Sequence, residues 1–411
     1  MDFPRQVAGT AAPGVSGSGS QFDCRTLLDP RRLTIMMWDQ AYLLRHLPGE
    51  SFADYDKVLT EAVERGYNTV RIDPLPNLID LAKPQTVLHW DDPQRPFFPW
   101  GNLHACTGPV GQWLIEFMQM LLKKGLYYSL SSWWFDESNW CGKDGNSPVV
   151  KRVPRNHTEA AEIWMPFLAQ WEKMFGFDNL VYVDIHNEVP FFMKGYKQLL
   201  KEKVGLDWDK GLPFTSEQVD FLSQDLNSAM RILQREFPEL RFTASIHGDV
   251  RWCSVPLHFD CLDVHFYLDA DQRWVNRTKF DEWLTAGIYS NDSWFKEFSD
   301  RCAKTRNAVL PMLFQRQQQR LADFAAWSGR HGMPLTTSES WSSWYYYDHP
   351  DLDWAWLLEW AEMTVEGAIA HGMWGWTPHN YVQPQFENWK DVSWHRRLTE
   401  KFLRGGTIGV R

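Results

Sequence analysis

Several signals that define common protein classes are absent from this sequence of 411 residues. The first residues contain no basic region followed by an apolar run, so they do not resemble a secretory signal. No apolar run approaches the roughly 18 residues that a membrane span requires. There is also no glycine-rich nucleotide loop of the GxGxxG or P-loop type. We therefore expect a cytoplasmic protein with no membrane partner.

Cysteine is scarce as well, with six residues in the whole chain. These residues are scattered, and they form neither a CxxC pair nor a spacing that is typical of metal ligands. A chain of this length can bury a sizeable core without disulfides, so free buried thiols are expected. The sequence therefore predicts no metal site.

Positive charge is in deficit, since the formal net charge is -10. This balance argues against a nucleic-acid partner. Tryptophan, by contrast, is abundant, with 24 residues. Aromatic rings stack on the apolar faces of sugars, and carbohydrate clefts are accordingly rich in tryptophan. Any single tryptophan could equally fill space in a large core, so it is the clusters that indicate a carbohydrate partner.

The chain divides into a short flexible segment, residues 1–30, and one domain, residues 31–406. The first segment is rich in Gly, Ser, Ala and Pro. The domain alternates short apolar runs with amphipathic stretches, which is typical of an α/β fold. Eight runs are strand candidates: 33–38, 68–72, 126–130, 180–185, 241–246, 262–266, 335–338 and 373–376. Eight such units predict a (β/α)8 or TIM barrel, a single domain with long βα loops.

Polar residues cluster where these predicted strands end, which is the catalytic face of such a barrel. Glu188 follows the fourth strand and Glu339 follows the seventh, so the two carboxyl groups can face each other across the barrel mouth. Hydrolysis of a glycoside needs such a pair, one group to donate a proton and one to attack the anomeric carbon. Other strand-end residues are Asp39, Arg71, Asp73, Trp133, Asn187, His265, Tyr267, Trp374 and Trp376.

These residues resemble those of glycoside hydrolase clan A, and in particular its cellulase-like family. The match spans residues 33–376 and includes Asn187-Glu188, His265 and Tyr267 in DVHFY, and Glu339. The resemblance implies that Glu188 is the acid/base and Glu339 the nucleophile. It departs from the family pattern at Val189, where a proline is usual, and after the third strand, where a histidine is not evident.

The resemblance assigns further roles to the strand-end residues. Arg71 would hydrogen-bond the nucleophile and keep it ionised, whereas Glu188 should lack a close cation. The His-x-Tyr motif of His265 and Tyr267 would position the nucleophile. The remaining expected substrate-binding residues are Asn187, which would donate to the sugar 2-hydroxyl, Trp374 or Trp376 under the sugar, Trp133, and Asp39 and Asp73, which suit the hydroxyls of a terminal sugar.

The resemblance thus implies a retaining hydrolase of β-linked glycosides or short oligosaccharides that requires no cofactor. Two alternatives share the fold: a transglycosidase with the same first step, and a catalytically silent barrel that binds sugars. A third is a metal-dependent barrel enzyme that uses His186, Glu188, Asp249 and His265. An arginine on the second strand argues against this third reading, because it would repel a cation. Oligomeric state and sugar identity stay open.

Overall fold

The structure is a computed structural model, and it describes residues 32–91, 101–103, 105–134, 140–142, 153–285, 293–343 and 346–406. The segment 1–30, predicted to be flexible, lies outside these residues. Within them, the predicted alternation of strands and helices is confirmed, and the chain has an α/β fold. Among the described residues, none of the helices is both long and apolar enough to cross a membrane.

Short strands supply the framework of the fold. In chain order they are β1 (Leu33–Asp39), β2 (Thr69–Ile72), β3 (Leu88–Asp91), β4 (Ala105–Gly108), β5 (Tyr127–Ser131), β6 (Trp140–Gly142), β7 (Leu180–Asp184), β8 (Phe242–Thr243), β9 (Ile246–His247), β10 (Leu262–His265), β11 (Leu335–Thr336) and β12 (Gly375–Trp376). Each of the eight predicted strand regions overlaps at least one of them. Strands β3, β4 and β6 were not predicted.

The strands form two parallel sheets and one antiparallel sheet. The first parallel sheet has the order β12-β1-β2-β5-β7-β8, and the second has the order β11-β10-β9. Register within the first sheet pairs Ile35 with Thr69 and Thr69 with Tyr127. The unpredicted strands make the antiparallel sheet β4-β3-β6. Because all strands of the parallel sheets point the same way, their carboxyl ends lie on the same side and gather the residues that follow them.

The predicted fifth strand is divided into β8 and β9, and the structure gives a reason for the break. Between the two lies Ser245, whose backbone N–H donates to the Asp184 carboxylate over 2.8 Å. That N–H is therefore unavailable to a neighbouring strand. The interruption also frees the Ser245 hydroxyl, which accepts a hydrogen bond from the backbone N–H of Glu188 at 2.9 Å.

Helices connect the strands and cover the sheets. They are α1 (Ala41–Leu44), α2 (Tyr55–Glu64), α3 (Val110–Lys123), α4 (His157–Phe175), α5 (Tyr196–Val204), α6 (Ser216–Glu236), α7 (Gln272–Thr278), α8 (Phe280–Thr285), α9 (Ser293–His331), α10 (Ala355–Ala370) and α11 (Val392–Leu403). Local sequence fixes several starts: Asn156 caps α4 by accepting from the N–H of Glu159, and Thr215 and Gln218 form a capping box on α6.

The core consists of two clusters of buried apolar side chains. The larger one lies between the sheets and the helices that cover them, and it includes Met36, Val70, Leu114 and Trp360. The smaller one gathers side chains that precede or begin strands: Leu33, Ile35, Val181, Tyr182, Cys261 and Trp374. Of the cysteines whose side chains are described, all four are free and three are buried, as the sequence predicts.

Candidate active site

The two predicted catalytic carboxyl groups come from the carboxyl ends of two parallel strands. Glu188 lies in the turn after β7, and Glu339 lies in the turn after β11. Glu188 has a φ of 54°, a left-handed conformation that a non-glycine residue adopts only where its surroundings enforce it. Hydrogen bonds from its backbone N–H to Ser245, and from the N–H of Phe191 to its carbonyl at 2.7 Å, hold the turn.

His265 brings the two carboxyl groups together. Its Nδ1 atom lies 2.9 Å from Oε1 of Glu188 and 3.6 Å from Oε2 of Glu339. One atom of each of the three side chains lies within 4.8 Å of the others, and all three side chains are buried. The sequence assigned His265 to positioning the nucleophile, whereas the structure places it nearer to Glu188.

Three neighbours surround the Glu339 carboxylate. Arg71 donates from Nη1 to Oε2 over 2.8 Å, and the Tyr267 hydroxyl donates to Oε1. The amide nitrogen of Asn380 lies 2.8 Å from that hydroxyl and 3.5 Å from Oε1. The predicted placements of Arg71 and Tyr267 beside Glu339 are therefore observed.

Asn187 is fixed in one orientation and leaves one donor unused. Its Oδ1 atom accepts from Nη2 of Arg71 at 2.5 Å and from the Ser245 hydroxyl at 3.4 Å. Since a guanidinium only donates, the oxygen must face Arg71 and the amide nitrogen must point elsewhere. That nitrogen is buried and has no hydrogen-bond partner among the described residues. It is a preorganised donor for an acceptor from outside the chain.

Burial dominates the electrostatics of the pair. It raises the pKa of Glu188, against weaker opposing effects of His247 and Arg71. Burial and the Glu188 charge also raise the pKa of Glu339, although His265, Arg71 and the Tyr267 hydroxyl all act to lower it. The prediction that Arg71 favours the Glu339 anion is correct in sign, but burial outweighs it. Burial lowers the pKa of His265, so this imidazole is neutral near pH 7.

Trp133 and Asp39 meet at the side of the site next to Arg71. The indole N–H of Trp133 donates to Oδ2 of Asp39 over 3.0 Å, and Oδ1 of Asp39 lies 3.4 Å from Nε of Arg71. Oδ1 has no hydrogen-bond partner among the described residues. Burial raises the pKa of Asp39 to about 8. The structure therefore places both residues beside Arg71, and their predicted contact with substrate stays a prediction.

Asp73 is placed differently from the prediction that it binds sugar hydroxyls. Its Oδ1 atom accepts from the backbone N–H of Leu75 at 2.7 Å. Its Oδ2 atom accepts from the N–H of Trp133 at 3.0 Å and from the Gln40 amide at 2.9 Å. The side chain is fully buried, and burial raises its pKa to about 6. Because both carboxylate oxygens already accept hydrogen bonds from the protein, Asp73 stabilises the loop that carries Trp133.

The structure brings neither Trp374 nor Trp376 to the carboxyl pair. Trp374 lies in the smaller core cluster, beside Leu33 at the amino end of β1, which is the opposite end of the strands from the carboxylates. The Trp376 ring packs on Phe402 of α11, at 5.6 Å between ring centres. Both are fully buried. These indoles therefore pack in the core, and the prediction that one lies under the sugar is corrected.

Sequence reasoning missed three residues at the site. Asn380, in the segment after β12, accepts from the backbone N–H of Ser340 at 2.8 Å and contacts Tyr267. His247 stacks on the Tyr267 ring at 5.8 Å between centres. Phe192 is 46% exposed and packs on Trp133 at 4.4 Å between centres. The rule that polar residues follow strands would have found Asn380, had it been extended past Trp376.

Two of the four residues named for the metal-site alternative, His186 and Asp249, lie in other contacts. His186 contacts His157 and the Phe191 carbonyl, and Asp249 pairs with Arg251 at 2.5 Å. Among the described residues, the group whose geometry could hold an ion is Glu188, His265 and Glu339. A cation there would meet Arg71, which already neutralises Glu339 at 2.8 Å. The donor set therefore fits a metal poorly.

Fold and site together define an α/β protein with a paired-carboxylate centre at the carboxyl ends of its parallel strands. The model of a family described as "Cellulase-like: Sugar-binding cellulase-like" matches residues 35–403. The chain belongs to this family, and its resemblance to cellulase-like glycoside hydrolases is thereby confirmed. A search of curated protein sequences gave no match.

The chain is similar to several solved structures. A putative glycoside hydrolase from Parabacteroides distasonis is 24% identical, with a TM-score of 0.73 over 92% of this chain and 94% of that chain. An endoglucanase from Pseudomonas stutzeri has 13% identity and a TM-score of 0.47 over 92% and 97% of the two chains. A glycoside hydrolase family 5 mannosidase from Rhizomucor miehei has 9% sequence identity and a TM-score of 0.47, over 91% of this chain and 93% of that chain. At 24% identity, the likeness to the Parabacteroides distasonis structure concerns the fold alone.

Proposed function

We propose that this protein is a retaining glycoside hydrolase that acts on β-linked glycosides or short oligosaccharides, with Glu188 as acid/base and Glu339 as nucleophile. The proposal rests on one observation above all: an oxygen of each carboxyl group and Nδ1 of His265 lie within 4.8 Å of one another. Retaining enzymes hold their carboxyl groups about 5–5.5 Å apart, and inverting enzymes roughly 6.5–9.5 Å. The short separation favours direct attack by one carboxylate.

The hydrogen-bond acceptors around Nε2 of His265 support Glu188 as the acid. Nε2 of His265 lies 3.4 Å from the Ser338 hydroxyl and 3.7 Å from Oδ1 of Asp263. The Ser338 hydroxyl donates its own proton to Asp263 over 2.6 Å, so both neighbours of Nε2 are acceptors. A neutral imidazole then carries its proton on Nε2 and a lone pair on Nδ1. Nδ1 therefore accepts a proton that Glu188 holds, which keeps the acid loaded.

The surroundings of Glu339 support its role as nucleophile. Arg71 and the Tyr267 hydroxyl both donate to this carboxylate, so of the two carboxyl groups it is the better stabilised as an anion. The unpartnered amide nitrogen of Asn187 suits the sugar 2-hydroxyl, whose hydrogen bond strengthens in the transition state.

The reaction then proceeds by double displacement. Glu339 attacks the anomeric carbon while Glu188 donates its proton to the leaving oxygen, and a covalent glycosyl ester forms on Glu339. The leaving group departs, and the ionised Glu188 removes a proton from a water molecule. That water attacks the same anomeric carbon and releases Glu339, so the product has the configuration of the substrate. No cofactor takes part in either step.

Phe192 and Trp133 supply an aromatic surface for the leaving group in this proposal. Phe192 lies four residues after Glu188, and its exposed ring packs on Trp133, which is hydrogen-bonded to Asp39 in the site. The acid must reach the leaving oxygen, so the leaving group lies on the Glu188 side. An exposed aromatic face there suits the apolar face of a sugar or an aryl group.

We further propose that the two parallel sheets close into one eight-stranded barrel within a single domain. Backbone hydrogen bonds join the edges β11 and β12, from Trp374 to Leu335 at 2.7 Å and from Thr337 to Gly375 at 3.2 Å. The other junction, between β8 and β9, is one strand interrupted at Ser245. A closed barrel would set Glu188 and Glu339 across one mouth.

The test is a screen of nitrophenyl β-glycosides and β-linked disaccharides with the wild-type protein and two variants. Wild type should hydrolyse at least one substrate, and a chelator should not change the rate. Glu339→Ala should be inactive, and azide should restore turnover to a glycosyl azide of inverted configuration. Glu188→Ala should retain activity on substrates with activated leaving groups, which need little acid help.

Other outcomes identify the alternatives. Transfer to an added sugar in preference to water would assign a transglycosidase. Wild-type protein that binds sugars but turns over no substrate would assign a sugar-binding role. A rate that depends on an added metal ion would overturn the proposed mechanism.

A further inference from the structure

A buried chain of polar side chains lies behind the turn that carries Glu188, and the proposed reaction does not use it directly. It runs from Asp225 on α6 through His157, the first residue of α4, to His186 after β7. His157 Nδ1 lies 2.5 Å from Oδ2 of Asp225, and His157 Nε2 lies 2.9 Å from Nδ1 of His186. Nε2 of His186 contacts the Phe191 carbonyl oxygen. Both imidazoles are fully buried.

Proton positions in this chain follow from what each partner can do. A carbonyl oxygen only accepts, so His186 carries a proton on Nε2. Burial and the positive charge of His157 lower the pKa of His186 well below its ordinary value, so His186 is neutral and its Nδ1 atom bears a lone pair. His157 must therefore donate from Nε2. It also faces a carboxylate from Nδ1, so both of its ring nitrogens carry protons.

The surroundings of Asp225 stabilise its carboxylate, which can therefore pair with the positive charge on His157. Its Oδ2 atom also accepts from the Tyr196 hydroxyl at 2.8 Å. Burial alone would raise the pKa of Asp225, but the charge and hydrogen bond of His157 outweigh it and lower the pKa. His157 and Asp225 thus form an ion pair of an imidazolium and a carboxylate. Each charge compensates the other, whereas either charge buried alone would destabilise the fold.

His186, at the other end of this series of side chains, contacts the turn that carries Glu188. His186 precedes Glu188 by two residues, and its ring contacts the carbonyl of Phe191, three residues after Glu188. The N–H of Phe191 in turn donates to the Glu188 carbonyl at 2.7 Å. The side chain of His186 therefore bridges the two ends of the turn. Since Glu188 has a left-handed backbone, the turn needs such external support to hold its conformation.

We propose that His157, held as an imidazolium by Asp225, is a positioning residue for the general acid: through His186 it fixes the turn that presents Glu188 to the leaving group. This inference rests on the proposed function. Its effect should be largest on steps that need proton donation, because among the described residues Glu339, Tyr267 and Asn380 make no hydrogen bond to Asp225, His157 or His186.

The test compares Asp225→Asn, His157→Gln and a control, Tyr196→Phe, which removes a hydrogen bond to Asp225 but no charge. Rates are measured on aryl glycosides whose leaving groups span a wide range of acidity. Asp225→Asn and His157→Gln should lower kcat/KM about 10–100-fold on poor leaving groups, part of the ~10²–10⁴ that a general acid contributes, and by a smaller factor on activated ones. Tyr196→Phe should follow the wild type on both.

A second measurement reads the charge directly. In protein labelled with ¹⁵N-histidine, the two hydrogen bonds of His157 predict one buried histidine with protons on both ring nitrogens, and its signals should vanish in His157→Gln. A neutral His157, or an equal loss of rate on all substrates, would overturn the inference. A wild type that cleaves no glycoside would instead overturn the proposed function and with it the catalytic role, whereas the imidazolium is decided by the spectrum alone.

Discussion

Arg71 donates from Nη1 to Oε2 of Glu339 over 2.8 Å, with both side chains almost completely buried. The same guanidinium holds Oδ1 of Asn187 at 2.5 Å, so one cation orients two groups that would touch the reacting sugar. A planar guanidinium can make both bonds at once, whereas an ammonium on a flexible stem cannot reproduce this geometry.

Replacement of Arg71 should therefore impair catalysis even where the positive charge is kept. Arg71→Lys should lower kcat about 10²–10³-fold, as expected for a lost preorganised donor. Arg71→Met also removes the charge that lowers the pKa of Glu339. The pKa of Glu339 should then rise, and the acidic limb of the kcat/KM profile should move to higher pH. Arg155→Met, the same change at a side chain that is 81% exposed, is the control. An unmoved acidic limb in Arg71→Met would contradict this role.

Asn187 should contribute through a single hydroxyl of the substrate. Asn187→Ala should lower kcat/KM about 10–100-fold, or roughly 1–3 kcal/mol, because it removes the preorganised donor. On the matching 2-deoxyglycoside, which lacks the hydroxyl, wild type and variant should react at similar rates. The comparison of both proteins on both substrates isolates this one contact. An equal loss on the two substrates would place the effect of Asn187 elsewhere.

Phe192 should contribute to binding of the leaving group and should not affect the rate of bond cleavage. Phe192→Ala should raise KM about 2–10-fold for disaccharides, consistent with the ~0.5–1.5 kcal/mol of an aromatic contact. Hydrolysis of a glycosyl fluoride, whose leaving group is too small to reach the ring, should be unchanged. Leu212→Ala is the control, since Leu212 is an apolar residue that is 63% exposed. A change of KM for the fluoride as large as for disaccharides would refute the leaving-group surface.

Asp39 should make stability depend on pH. Burial raises its pKa to about 8. A raised carboxyl pKa means that the folded state prefers the protonated form. This contribution to stability is complete below the unfolded pKa of about 3.9 and is lost as the pH rises through the folded value. Asp39→Asn stays neutral, so its Tm relative to wild type should increase by several degrees from pH 5 to pH 9. Asp209→Asn, at a side chain that is 74% exposed, should show no such trend.

Sequence reasoning located the paired carboxyl groups of the site because a strand-end position is a property of the local chain. Glu188, Glu339, Arg71 and Tyr267 each follow or end an apolar run, and parallel strands bring such positions together. The local sequence does not fix the bounds of a strand, however, and β12 begins at Gly375, one residue after Trp374. For that reason Trp374 was assigned to the site although it packs at the amino end.

Contacts between side chains on distant helices leave no motif in the sequence that could predict them. His157 and Asp225 are 68 residues apart and begin or lie within separate helices, so no motif joins them. Asp73 shows a related limit: it occupies a strand end, as catalytic residues do, but its oxygens bind backbone N–H groups. Which partner a buried carboxylate finds depends on packing, and the sequence alone does not contain that information.

The anomeric configuration of the first product tests the central claim most directly. A β-glycoside hydrolysed by the wild-type protein is followed by ¹H NMR from the first turnovers, before the released sugar equilibrates. The 4.8 Å cluster of Glu188, His265 and Glu339 predicts retention, so the β-anomer should appear first and the α-anomer should follow only by mutarotation. Initial release of the α-anomer would mean that water attacks the substrate directly, and Glu339 would then not be the nucleophile.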